Sequence, residues 1–162
     1  MKPPTRWRRA YPRIQRSPAG DTIITRSQVP LELYTCKADH RHKPNKKKSK
    51  WSIPEEDEVE CFEEALANGW RINKPHKSMC WGLIPDNRNQ PTVVGHAPPD
   101  YTRELVFARF DEGNPSAWHG CPADYQGHTH DTPTPGVLSA WLALDYITKA
   151  QMRRILCGQI HR

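Results

Sequence analysis

Apolar and polar positions alternate in short runs along much of this chain, and only near the middle and the end do they take the 3.6-residue spacing of a helix. Residues 22–25 and 31–35 are β-prone runs separated by a bend at 27–30. Residues 70–72, 80–84, 92–94 and 104–110 continue the series, broken by Pro85-Asp86-Asn87 and Pro98-Pro99-Asp100. Strands this short and this closely spaced predict a small, mostly antiparallel sheet. From Ser52 the period changes. Val59, Phe62 and Leu66 fall at i, i+3 and i+7, with Cys61 and Ala65 beside them, and predict an amphipathic helix. Ser52 and Glu55 have capping-box spacing, Pro54 suits a first turn, and Asn68-Gly69 marks the stop. Residues 135–147 and 148–158 predict a C-terminal helical pair. In the first, Val137, Leu138, Trp141, Leu142 and Leu144 form a broad apolar face. In the second, Thr148 and Gln151 have capping-box spacing, and Gly158 ends the helix. Residues 111–136, rich in Pro, Gly, Asp and His, predict an irregular but ordered loop. The expected fold class is α+β.

Residues 1–20 hold four Pro and six Lys/Arg and follow neither period. Such a segment buries too little to order itself, so it reads as a disordered basic arm before a single domain over 21–162. Residues 37–50 are almost purely polar and read as a solvated, basic loop within that domain. Trp51, Trp70, Trp81, Trp118 and Trp141 supply the large apolar anchors of a domain poor in aliphatic mass. No run approaches the roughly 18 apolar residues of a membrane span. The N-terminus has charge without an apolar block, as a secretory signal would need. The five cysteines, Cys36, Cys61, Cys80, Cys121 and Cys157, are odd in number, widely spaced and lack a C-x-x-C pair, so a disulfide framework is not indicated. Together these predict a cytoplasmic protein with reduced thiols and no membrane contact.

Charge changes the picture most. The formal net charge of the 162 residues is +6, yet residues 1–50 hold 14 Lys/Arg against 3 Asp/Glu, whereas residues 51–69 hold 7 acidic groups and no basic one. A positive field gathered in one third of the chain attracts polyanions better than the same charge spread evenly. In the arm, Arg6, Arg8, Arg9, Arg13 and Arg16 are suited to phosphates, and Trp7 and Tyr11 to stacking on unpaired bases. In the loop, Arg41, Lys43, Lys46, Lys47, Lys48 and Lys50 suit a phosphate backbone without reading its sequence. The leading expectation is therefore a nucleic-acid-binding accessory protein, with DNA and RNA equally open. A non-catalytic subunit of a larger protein or ribonucleoprotein complex fits the same charges. The competing local arrangement is an acidic helix folded back to neutralise Lys46–Lys50.

A second class of function rests on histidine. His119, His128 and His130 cluster in sequence, and His119 as general base with Arg109 or Arg103 stabilising a phosphorane would make a phosphodiester hydrolase. With a metal, His128 and His130 would ligate zinc together with Cys121, Asp124 or Asp131. Cys36, His40 and His42, and separately His76 and Cys80, are zinc half-sites whose spacing matches no finger framework. The predominant expectation is no cofactor. The C-terminal pair has a helix-turn-helix outline, with Gln151, Arg153 and Arg154 on its second helix, but such a face is equally ordinary for a solvated helix.

Overall fold

The computed structural model describes residues 13–26, 32–42, 45–74, 77–114 and 117–159. It is an α+β fold of ten strands and three α-helices among those residues. Seven strands form one sheet: β1 (Arg13–Arg16), β2 (Thr22–Arg26), β3 (Glu32–Cys36), β5 (Arg71–Lys74), β6 (Lys77–Gly82), β9 (Ala108–Asn114) and β10 (Ala117–Pro122). Their spatial order is β1-β2-β3-β10-β9-β6-β5. All pairs are antiparallel except β3 with β10, where Trp118 lies opposite Tyr34 in a parallel register. The short strands β4 (Lys50–Trp51), β7 (Gly95–His96) and β8 (Glu104–Leu105) make a second sheet in the order β4-β7-β8.

The principal sheet is larger than the sequence predicts, for two local reasons. Residues 13–16, read as part of the disordered arm, pair with β2 in full register. Residues 1–12 lie outside the described residues. Residues 117–122, read as irregular loop, form a central strand. Its Trp118, Gly120 and Pro122 turn inward and alternate with half-buried Ala117, His119 and Cys121. Gly120 and Pro122 read as loop residues, yet Gly120 is there because Phe110 and Tyr34 occupy the space a side chain would fill. The expected strand at 92–94 is not formed, and Gly95–His96 pairs instead.

Helix α1 (Glu55–Ala67) lies across one face of this sheet, burying Val59, Phe62 and Ala65. Its N-cap is Pro54 without a side-chain cap, so the Ser52 capping box is not made, while four acidic residues in the first turn suit the helix dipole. Phe62 meets Tyr34, Phe110 and Trp118 at ring-centroid distances of 4.6, 5.3 and 5.2 Å. Helices α2 (Pro135–Ala143) and α3 (Lys149–Leu156) extend the core, with Trp141 set edge-on to Trp70 at 5.8 Å and 4.9 Å from Phe107. The Thr148–Gln151 capping box is present in both directions. All five tryptophans noted above are buried. No helix among the described residues is long and apolar enough to cross a membrane.

Candidate nucleic-acid interface and histidine cluster

The fold divides the basic residues into exposed and committed sets. Arg16 ends β1 and is exposed, as are His42, Lys46 and Lys47. The turn between β1 and β2 sits against the basic loop: a Cβ on Gly20 would lie 3.5 Å from Ala38 Cβ and 3.6 Å from His42 Nε2. Two segments distant in sequence thereby meet at one end of the sheet. Arg13 occupies the first position of β1, Lys43 lies outside the described residues, and so do Arg6, Trp7, Arg8, Arg9 and Tyr11.

The loop itself is pinned rather than freely solvated, which corrects the expectation. The Tyr101 hydroxyl lies 2.7 Å from the Asn45 carbonyl and 3.1 Å from that of Lys48. His40 Nδ1 is 2.8 Å from the Ser49 carbonyl and must donate there, and Ser49 Oγ donates to the Pro122 carbonyl at 2.8 Å. Lys48 pairs with Asp39 at 2.8 Å, and Lys50 donates to the Asp39 backbone carbonyl. Lys48 is thus neutralised within its own loop, and Lys50 is tied to that loop's backbone.

Arg41 also has internal partners. Its guanidinium donates to the Ile53 carbonyl at 2.7 Å and to Oε2 of Glu58, whose side chain is fully buried. Tyr34 completes the group by donating to Glu58 Oε1 at 2.9 Å. Burial pushes the Glu58 carboxyl up to about 7 against the lowering effect of Arg41 and Tyr34. Sequence reading missed Glu58, although it sits four residues before Phe62 on the apolar stripe, which is the available signal.

The proposed catalytic residues gather around β9 and β10. In register, His119 faces Asp111 and Cys121 faces Arg109, so the four share one face of the sheet. Arg109 donates to Asp111 at 2.9 Å and to Asp131 at 2.5 Å. Burial opposes the Arg109 charge, but Cys121, Asp111 and Asp131 outweigh it and raise its pKa. Burial pushes the Cys121 thiol up to about 12, with Arg109 opposing. Asp131 also accepts the Asp124 amide at 2.8 Å, its carbonyl accepts Trp81 Nε1 at 3.0 Å, and Arg103 grips Asp124 through both carboxylate oxygens. This network staples residues 123–132 to the sheet. Arg109, the residue expected to stabilise a phosphorane, is thus paired with two carboxylates, Asp111 and Asp131. Asp111 was missed, and its signal was the alternation Ala108-Arg109-Phe110-Asp111.

His128 and His130 are exposed, with ring centroids 5.4 Å apart, and His130 Nε2 is 3.5 Å from Asp131 Oδ1. His119 stands on the sheet between Thr35 and Asp111. Among the described residues no group of three or more His, Cys, Asp or Glu is placed to hold a metal ion. Cys36 and Cys80 are buried on the α1 side of the sheet. No protein-family model, curated protein or solved structure matches this chain.

Proposed function

We propose that the protein binds nucleic acid through a basic rim formed where the β1–β2 turn meets the loop of residues 37–50. The observation that carries this reading is the seating of Gly20 against His42 and Ala38, which sets the turn that follows Arg16 against the loop that carries the exposed Lys46 and Lys47. Among the described residues these cations pair with no carboxylate, unlike Arg41 and Lys48. A rim of this kind contacts phosphates and fixes position without reading bases. The test is binding of the full chain to labelled DNA and RNA over a salt series. Lys46→Glu with Lys47→Glu should weaken binding and flatten its salt dependence by roughly 0.7 in logarithmic slope for each lost single-strand phosphate contact. Affinity and slope equal to the parent's would reject the rim.

A further inference from the structure

We infer that Tyr101, in the connection between β7 and β8, is the positioning residue of the basic rim: its hydroxyl clamps the turn 45–48, so that Lys46 and Lys47 meet phosphates from an already ordered backbone. This inference rests on the nucleic-acid reading above and adds to it the residue that holds the site in its binding form.

The turn is built on Asn45. The Lys48 amide donates to the Asn45 carbonyl at 3.3 Å, and the Lys47 amide donates to Asn45 Oδ1 at 3.0 Å. Asparagine opens turns in this way because its short side chain reaches its own backbone two residues on. Lys46 and Lys47 are then the two central residues, and both are exposed. A turn of lysines buries little apolar surface, and its hydrogen bonds compete with water, so its own contacts hold it weakly. Tyr101 adds a hold from outside. Its hydroxyl lies 2.7 Å from the Asn45 carbonyl and 3.1 Å from the Lys48 carbonyl, so one phenol proton serves both ends of the turn.

The fold brings Tyr101 there from 56 and 53 positions away. Strand β4 follows the basic loop, and β7 pairs with it, Lys50 opposite His96. The Ala97 amide donates to the Arg103 carbonyl at 2.9 Å and closes the connection that carries Tyr101. Tyr101 itself has a φ of 58°. Asn89 and Asp145 share that left-handed region, but their short polar side chains tolerate it, whereas a tyrosine there is strained. Asp100 steadies the strained residue from one side: its Oδ1 accepts the Thr102 amide at 3.1 Å and the Thr102 hydroxyl at 3.0 Å. Strain of this kind persists where the surroundings over-determine it, and it gathers at ligand clamps. A turn ordered before the ligand arrives loses less freedom on binding, which raises affinity without adding a contact.

The experiment measures anisotropy of a labelled single-stranded oligonucleotide with the full chain over a salt series, and amide hydrogen exchange of the free chain by NMR. Tyr101→Phe removes one hydroxyl and keeps the ring. Its affinity should fall roughly three- to ten-fold, the net worth of a hydrogen bond. The salt slope should stay at the parent's value, because both lysines remain. The Lys47 and Lys48 amides should exchange faster, while the amide of the buried Phe110 does not. Parental affinity in Tyr101→Phe, beside weakened binding by Lys46→Glu with Lys47→Glu, overturns the clamp and leaves the rim standing. Weaker binding with parental exchange at Lys47 and Lys48 overturns it too, since the hydroxyl would then meet the ligand directly. Faster exchange at Phe110 as well would mark a general loosening of the fold and reject a positioning role. Parental affinity in the lysine double variant, or no binding by the parent, overturns the rim and the clamp together.

Discussion

Tyr34 on β3 donates its hydroxyl proton to Oε1 of Glu58 on α1 across 2.9 Å, at a carboxyl group with no solvent exposure. With Arg41 on the other oxygen, this contact joins the sheet, the helix and the basic loop at one buried point. Its consequence for stability depends on pH.

Burial raises the Glu58 carboxyl from 4.5 to about 7. A carboxyl raised in the folded state favours folding below its unfolded value, and that contribution is lost as pH rises through about 7. The difference corresponds to about 3 kcal/mol. In urea unfolding at about pH 4.5 and about pH 7.5, the parent should lose about that much more stability than Glu58→Gln. Equal pH dependence in the two proteins would sink the assignment.

His40 tilts the curve the other way. Burial lowers it from 6.5 to about 4, with the Ser49 carbonyl opposing. Its contribution is present above about 6.5 and disappears as pH falls through about 4, again by about 3 kcal/mol. Between the two values the Glu58 and His40 effects offset each other. The parent should therefore show a flatter profile than either Glu58→Gln or His40→Gln, and the two variants should slope in opposite directions. Parallel slopes would contradict this.

Asp131 holds Arg109, the Asp124 amide and the Trp81 indole at once. Asp131→Ala leaves the half-buried Arg109 with Asp111 alone among the carboxylates of the described residues and should cost about 3–5 kcal/mol in unfolding free energy. Replacing the exposed His128 and His130 by alanine should change stability by no more than about 0.5 kcal/mol. Comparable losses from the two sets would refute a stapling role for Asp131.

Gly120 and Gly113 stand on adjacent strands and predict opposite outcomes. A Cβ on Gly120 would lie 2.4 Å from Phe110 Cδ1 and 2.7 Å from the Tyr34 hydroxyl, both fully buried. Gly120→Ala should destabilise by about 1–3 kcal/mol, while Gly113→Ala is tolerated. Thermal unfolding of the pair decides it, and a harmless alanine at 120 would show that the core yields more readily than its geometry implies.

Much of the helical structure was legible. The apolar stripe of α1, its stop at Asn68-Gly69 and the capping box of α3 all appear where their residues require. β10 was not legible, because Gly120 and Pro122 read as loop residues until Phe110 and Tyr34 are in place to occupy the missing side chain's volume. Within the site, the strand position of Arg109 follows from the run 104–110, but His119 falls in the expected loop, and the partners of neither follow from their neighbours. The lysines of the loop looked like one uniform cationic patch. Asp39 and Glu58 divide it into cations tied internally and cations left facing water.

Sequence alone determined the α+β class, the C-terminal stop of α1, the N-terminal cap of α3, the tryptophan core and the gathering of positive charge toward one part of the chain. These depend on contacts within a few residues, or on composition, and neither needs a fold. Only the tertiary structure decided that Arg41 meets Glu58, 17 positions away, and that Arg109 meets Asp131, 22 positions away. The physical reason is that a charge's role is set by what lies within a few ångströms of it, and packing brings those groups together irrespective of their order along the chain.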